Sequence, residues 1–352
     1  MPESQLSKPI SLDAMGGDSA PDCVLEGAQL ALIRHPNVKF LIFGDEAKVA
    51  PYLTKYPKLK AASELIHTNV RVSADDKPSV AIRQGKQSSM RLAIDSVADG
   101  RAAAVVSAGN TGALMAMSKI VLKTLPGINR PAIAALFPTI KGDCIMLDLG
   151  ANVECSAKDL FHFAIMGDAF AKAVLGLKRP KIGLLNIGSE ELKGHEEIKD
   201  AAQMIRESNL DIDYYGFVEG NVVPEGVVDV VVTDGFTGNV ALKTAEGTAR
   251  LIKTYMRDAF QATLMSKIGA LLLKKALTSV KDRLDERKRN GAMFLGLNGI
   301  AVKSHGSADA VSFANAISVA IDLAANDVNK KILSELQLYD EQHPEGAADP
   351  YE

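Results

Sequence analysis

Ser107-Ala108-Gly109-Asn110-Thr111-Gly112 directly follows the apolar run Ala102-Ala103-Ala104-Val105-Val106. The same arrangement, a short apolar run and then a glycine-rich polar turn, recurs along the chain. Residues 10–12 lead into Asp13-Ala14-Met15-Gly16-Gly17-Asp18, and residues 145–147 into Asp148-Leu149-Gly150-Ala151-Asn152. Residues 182–185 lead into Asn186-Ile187-Gly188, and residues 227–232 into Thr233-Asp234-Gly235-Phe236-Thr237-Gly238-Asn239. Runs this short and β-branched read as strands buried on both faces. In an open α/β sheet, ligands bind where such strands end. Five loops of Gly, Asn, Ser, Thr and Asp are therefore expected to meet on one sheet edge. Backbone N–H groups at the following helix N-termini would suit an anion.

Helical spacing alternates with these runs. Residues 22–33, 81–98, 112–123, 159–174 and 196–208 read as helices, and residues 38–43 as a further strand. This rhythm predicts a layered α/β/α fold with a mostly parallel sheet. Residues 240–289 break it, with no strand and one or two long helices. Gly269 marks a turn between them. Between Asp258 and Asp282 there is no acidic residue, while Lys267, Lys274, Lys275 and Lys281 fall in the gap. Leu264, Met265, Ile268, Leu271, Leu272 and Leu273 are hard to hide on one solvated helix. Two readings remain: a helical hairpin packed in a dimer interface, or a contact with anionic lipid, with lysines at the headgroups. The chain divides into a single large catalytic domain (8–335), the hairpin insertion within it (245–290) and a loose tail (336–352).

The bulk properties set limits. With 352 residues, 47% hydrophobic and 24% charged, the chain can bury a large core. A net charge of -3 argues against a nucleic-acid binder. Cys23, Cys144 and Cys155 fit no disulfide framework or metal site, which favours a reducing, cytoplasmic compartment. No signal peptide or membrane-crossing run is read. No G-x-G-x-x-G follows a strand, and no P-loop or G-x-S-x-G elbow occurs. No histidine pair has metal-ligand spacing, so neither cofactor nor metal is expected.

The candidate chemistry lies in the loops. Ser107, Asn110, Thr111 and Gly112 could hold an anion, or form a tight turn with Asn110 or Thr111 as the N-cap. Lys77, Arg83 and Lys86 bring cations near Pro78, a proline suited to a helix start; otherwise they form a solvated helix face. Lys193 follows the Asn186 turn. Residues 295–306 read as a hairpin or strand ending in Lys303-Ser304-His305-Gly306, and His305 is either a reactive group or a plain turn histidine. Cys155 has no base nearby in sequence, so it reads as a half-buried thiol and not a nucleophile.

Together, six of these motifs resemble one family: the loops at Asp13, Ser107, Asp148, Asn186 and Asp234, and Lys303-Ser304-His305-Gly306. The chain is similar to the PlsX family, the acyl-acyl carrier protein:phosphate acyltransferases of bacterial phospholipid synthesis. The resemblance spans residues 10–325. Ala14 replaces a valine frequent in the family, and residues 280–290 match poorly. The resemblance implies an isocitrate/isopropylmalate dehydrogenase-like fold in a homodimer at the membrane surface. It implies transfer of a long-chain acyl group from acyl carrier protein to inorganic phosphate. A membrane glycerol-3-phosphate acyltransferase would use the acyl phosphate. The site expected on this basis has Lys303, His305 and Asn239 as catalytic groups. Substrate would be bound by Asp13, Gly16, Gly17, Lys77, Arg83, Lys86, Ser107, Asn110, Thr111, Gly112, Asn152, Asn186, Gly188, Lys193, Asp234 and Gly238. Phosphate is its own nucleophile in this reading, so transfer is direct. The alternatives are a dehydrogenase on the related fold and a non-enzymatic scaffold at the membrane surface.

Overall fold

The computed structural model describes residues 6–283 and 285–342. Of the loose tail expected over residues 336–352, residues 336–342 are instead the end of a helix, Val328–Gln342, held by the buried Leu336; the rest, from His343, lies outside the described residues. In chain order the elements of the first half are β1 (Ile10–Asp13), α1 (Asp22–Arg34), β2 (Phe40–Gly44), α2 (Glu46–Lys55), α3 (Pro57–Ala61), β3 (Ser63–His67), α4 (Pro78–Gln84), α5 (Ser89–Ala98), β4 (Ala104–Ser107) and α6 (Thr111–Leu122). There follow β5 (Ala132–Pro138), β6 (Asp143–Leu147), α7 (Ala157–Val174), β7 (Lys181–Asn186), α8 (Glu196–Glu207), β8 (Asp213–Glu219) and β9 (Val230–Val232). The chain then runs through α9 (Gly235–Gln261), α10 (Leu264–Leu272), α11 (Lys274–Arg283), β10 (Ala292–Leu295), β11 (Ile300–Lys303), α12 (Ala310–Ala325) and α13 (Val328–Gln342).

Among the described residues these strands form one sheet, in the order β3-β2-β1-β4-β11-β10-β5-β6-β9-β7-β8. Pairing is parallel from β3 to β11 and again from β6 to β8. The three pairings between, β11–β10, β10–β5 and β5–β6, are antiparallel. The α/β/α layering with a mostly parallel sheet is borne out. The consequence for the loops is different from the expectation. An odd number of reversals separates β11 from β6, so the two parallel halves run in opposite directions.

Side chains alternate across the sheet. On one face Ile10, Leu12, Ile145 and Val230 join α1, α7 and α12 in one core. On the other face the first half is covered by α5 and α6, with Met90, Ile94, Leu114 and Met117 buried over Phe43 and Val105. The second half has its own cluster there, Met146, Leu185 and Val231, against which Leu242 and Ala245 of α9 lean. Even Ser11 is buried between layers, and its hydroxyl donates to the Ala93 carbonyl.

Helix starts follow local chemistry. Ser88 caps α5, Asn110 caps α6 and Asp234 caps α9, while Ser156 and Asp159 form a capping box on α7. The single helix expected over residues 81–98 is broken. α4 ends at Gln84, Gly85 closes it, and Ser88 starts a new helix. Gly269 is not a turn but lies inside α10; the breaks fall at Thr263, which caps α10, and at Leu273. The strands β3, β5 and β8 are additions to the sequence reading. No single helix among the described residues is long and apolar enough to cross a membrane.

Candidate functional site

Asp13 ends β1 and is buried, with 1% of its surface exposed. Its carboxylate accepts from the Ser107 hydroxyl at 2.6 Å, the Ser89 hydroxyl at 2.6 Å and the Met15 N–H at 3.3 Å. Ser107 in turn accepts from the Gly109 N–H at 3.0 Å. Burial pushes the Asp13 carboxyl up from the usual range, against these hydrogen bonds and the charge of Lys303. A Cβ on Gly16 would stand 2.4 Å from Asp13 Oδ2 and 2.7 Å from the Gly109 nitrogen. Only glycine lets the loop after β1 lie on the loop after β4.

Lys303 reaches the same place from the end of β11. Its ammonium is buried and donates to the Ala108 carbonyl at 3.2 Å and to the Ser304 carbonyl. Burial lowers its pKa to about 8, opposed by Asp13 and Asp18. The Asp18 N–H donates to the Gly306 carbonyl at 2.9 Å, so three loops are tied together. His305 is exposed; its Nδ1 lies 2.9 Å from the Ser307 hydroxyl, and its backbone N–H donates to Asn290 Oδ1.

Asn110 caps α6 through the Ala113 N–H and donates to the carbonyls of Ala74 and Asp76. Its side chain is thus a structural tie, as one of the two readings had it. The tie sets Lys77 at the mouth of the loop. The N–H groups of Thr111 and Gly112 open α6 and have no intrahelical acceptor. Arg83 and Lys86 are exposed at the far end of α4. Gly85 abuts Met117, about 9 Å along α6 from Thr111 at 1.5 Å per residue.

A second cluster gathers after β6, β7 and β9. Asp148 is buried and accepts from the N–H groups of Ile133, Ala151 and Asn152 and from Asn152 Nδ2. Burial raises its carboxyl also. α9 starts hard against this loop: a Cβ on Gly238 would stand 2.0 Å from the Asp148 carbonyl oxygen, and Gly150 abuts Asn239. Asp234 caps α9 through the Thr237 N–H. Asn186 donates to the Lys193 carbonyl and accepts from the Ile187 N–H, closing the turn that holds Gly188. Lys193 itself is exposed.

The expected single edge is therefore two. Asp13, Gly16, Gly17, Ser107, Asn110, Thr111, Gly112, Lys303 and His305 gather at one end of the sheet. Asn152, Asn186, Gly188, Lys193, Asp234, Gly238 and Asn239 gather beyond the opposite-running strands, with β10 and β5 between. Within one chain Asn239 does not join Lys303 and His305. Sequence reading missed Ser89 and Asn290. Ser89 begins a helix inside what read as one continuous helix, and Asn290 ends the stretch read as helical. Cys155 belongs to the second cluster, where burial, with Asp148 and Asp159, pushes its thiol up to about 12.

The apolar residues of α10 are uncovered. Leu264 is 77% exposed and Leu272 81%, while Met265, Ile268, Leu271 and Leu273 are also exposed. Lys267, Lys274 and Lys275 are exposed among them. On α9, Leu251, Ile252 and Tyr255 are exposed too.

Solved phosphotransacetylases share this α/β architecture. The chain superposes on one from Streptococcus pyogenes with a TM-score of 0.63 at 18% identity, covering 92% of this chain and 96% of that one. The EutD phosphotransacetylase from Staphylococcus aureus gives 0.59 at 17% identity over 93% and 96%. Residues 9–331 match the family described as "Fatty acid synthesis protein", and the chain belongs to that family. "Phosphate acyltransferase" of Paramagnetospirillum magneticum is 56% identical over 93% of each chain. That of Rhodospirillum centenum is 59% identical over 93% of this chain and 92% of its own length. These relatives bear out the resemblance read from the motifs and make the chain an acyltransferase enzyme.

Ser107→Ala should strand the Gly109 N–H and one oxygen of Asp13. Leaving such buried groups unpaired costs about 1–3 kcal/mol. Urea unfolding should show that loss; an unchanged midpoint would mean the Asp13–Ser107–Gly109 chain holds nothing in place.

Proposed function

We propose that the chain transfers a long-chain fatty acyl group from acyl carrier protein to inorganic phosphate. The product is an acyl phosphate for phospholipid synthesis, consumed by a membrane glycerol-3-phosphate acyltransferase. The observation that carries this reading is the first cluster: open N–H groups at the start of α6, beside a buried ammonium, on a loop fixed by Asp13. The relatives named phosphate acyltransferase support it.

Phosphate lies against the N–H groups of Thr111 and Gly112, with Lys77 at the rim and the field of Lys303 beneath. An N–H-rich helix start suits a multiply charged anion. A phosphate oxygen attacks the thioester carbonyl carbon, the tetrahedral oxyanion is held by N–H donors, and the carbon–sulfur bond breaks as the thiol leaves. His305, at the open edge of the same cluster, faces the thioester. No acyl-enzyme forms: Cys155 is a protonated thiol in the other cluster, and inorganic phosphate is itself a competent nucleophile near neutral pH.

The working protein in this proposal is a cytoplasmic homodimer bound peripherally to the membrane. The exposed apolar side chains of α9 pack against a second copy. α10 lays Leu264, Met265, Ile268, Leu271, Leu272 and Leu273 into the bilayer surface, with Lys267, Lys274 and Lys275 at anionic headgroups.

The direct test is release of free thiol from acyl-loaded acyl carrier protein. Release should require phosphate and survive in Cys155→Ala. An acyl group found on Cys155 by intact-mass measurement would replace direct transfer with a two-step route.

The rate should fall as pH rises through about 8, where Lys303 loses its proton. Stability should move the other way. The folded pKa is below the ordinary lysine value of 10.5, so the unfolded chain binds more protons between the two. The Lys303 contribution to stability therefore rises with pH across that window. A pH–rate profile flat far above 8 would remove this ammonium from the mechanism, and the opposite slopes separate catalysis from unfolding.

Replacing both Leu271 and Leu272 by Glu should abolish flotation with anionic vesicles while dimer and soluble activity persist. A variant that falls to monomers, or still floats, would assign α10 to the subunit interface.

A further inference from the structure

Between Asp76 and Asp143 the only acidic residues are Asp95 and Asp99, and both are engaged, Asp95 by Arg91 and Asp99 by Arg101. The cations in this stretch are far more numerous, and the fold collects several on one surface. α4 and α6 lie side by side. A Cβ on Gly112 would stand 2.9 Å from Pro78 Cγ, and one on Gly85 would stand 2.9 Å from Met117 Cε. Arg83 and Lys119 on these helices, and Lys86 and Lys123 just past their ends, are all exposed. Arg71 is exposed beside them, because Val70 is bridged to Ser88 just past Lys86. None of these five forms an ion pair with another described residue. The chain as a whole has a net charge of -3, so this surface stands against the general balance.

The position is as informative as the sign. α6 begins at the N–H groups of the first cluster and runs about 18 Å from there, at 1.5 Å per residue over Thr111–Leu122. The basic surface thus leads away from the mouth of the site. Its one large exposed apolar side chain is Ile120. A lipid-facing helix needs a row of such residues, and α10 has that row while α6 does not. Charge without apolar anchors suits a transient protein contact, in which complementary fields speed encounter and set orientation.

We propose that the outer face of α4 and α6 docks an acidic protein surface, that of the carrier delivering the acyl thioester. The inference rests on the acyl-carrier reading above and adds its docking site. Lys119 and Lys123 steer the carrier, Arg83 and Lys86 meet it nearer the site, and the thioester enters past Lys77. Arg83 and Lys86 then serve the carrier and not the phosphate.

Titration of fluorescently labelled acyl carrier protein tests this. The Lys119→Glu/Lys123→Glu variant should bind it at least about tenfold more weakly than the parent. Parent binding should weaken as salt shortens the screening length. In turnover, the carrier KM should rise by a similar factor while the phosphate KM and the rate at saturating carrier stay unchanged. The double glutamine variant, which only removes charge, should fall between and guards against a folding defect. A carrier Kd within twofold of the parent overturns the proposal. So does a variant that loses binding to anionic vesicles while carrier binding is intact, because the surface then faces lipid. If the parent binds carrier but never releases thiol in phosphate, the catalytic reading fails and the docking surface stands.

Discussion

Everything at the first cluster depends on a carboxylate that water does not reach. Asp13 draws hydroxyls from α5 and β4 and an N–H from its own loop onto two oxygens, and Lys303 brings the compensating charge from β11. Burial disfavours both ions, raising one pKa and lowering the other. Buried opposite charges that do not touch contribute little net stability, and apolar side chains of the same volume would fill the space at lower cost. What the charges provide is position. Ser107 is oriented by Asp13, Gly109 by Ser107, and the Ala108 carbonyl by Lys303. The Ala108–Gly109 peptide between them leads straight into the opening turn of α6. Its direction is set from both sides.

The second cluster repeats the device on the other half of the sheet. Asp148 directly follows a strand, is also buried, and gathers N–H donors from β5 and from the loop that follows. The two differ in what remains. Asp148 is closed over by α9, whose glycines let the helix start touch the loop. Asp13 is closed by Gly16 and the serines of α5 and β4, which leave the start of α6 open. The reversal at β10 and β5 keeps the two apart within one chain.

The fold is legible because most of the parallel strands announce themselves twice, by an apolar run and by the glycine turn after it. β5 and β3 (Ser-Glu-Leu-Ile-His) are only partly buried, and β8 carries tyrosines on an edge, so none of the three stands out. Missing β5 had a large effect. The antiparallel passage through β10 and β5 decides which way the second half runs, and no local pattern encodes it. The site was legible as a set of loops and not as a place. In sequence Asn110 reads as cap or as ligand, and its hydrogen bonds make it the cap. Ser89 was hidden because Gly85 inside an apolar helical pattern does not by itself declare a break. Lys303 was found from its motif, but its burial follows from β11 lying between β4 and β10.

One part of the molecule is out of keeping with this well-packed body. α9 runs for about 40 Å at 1.5 Å per residue, yet only its first turns lean on the sheet. Beyond them Leu251 and Tyr255 are half or more exposed, and α10 continues with most of its apolar surface bare. Helices in proteins take most of their stability from packing an apolar face, and isolated ones are marginal in water. An arm of this length carrying such a face is therefore built to be covered. An acyl phosphate has the same division, an anionic head and an apolar chain. In the proposed reaction the open N–H groups of α6 would suit the head, and the bare leucines of α10 the apolar medium that takes up the chain. On the proposed reading, their placement on opposite-running halves of one sheet would let phosphate chemistry proceed in a polar loop while the apolar arm stays free for a second copy and a lipid surface.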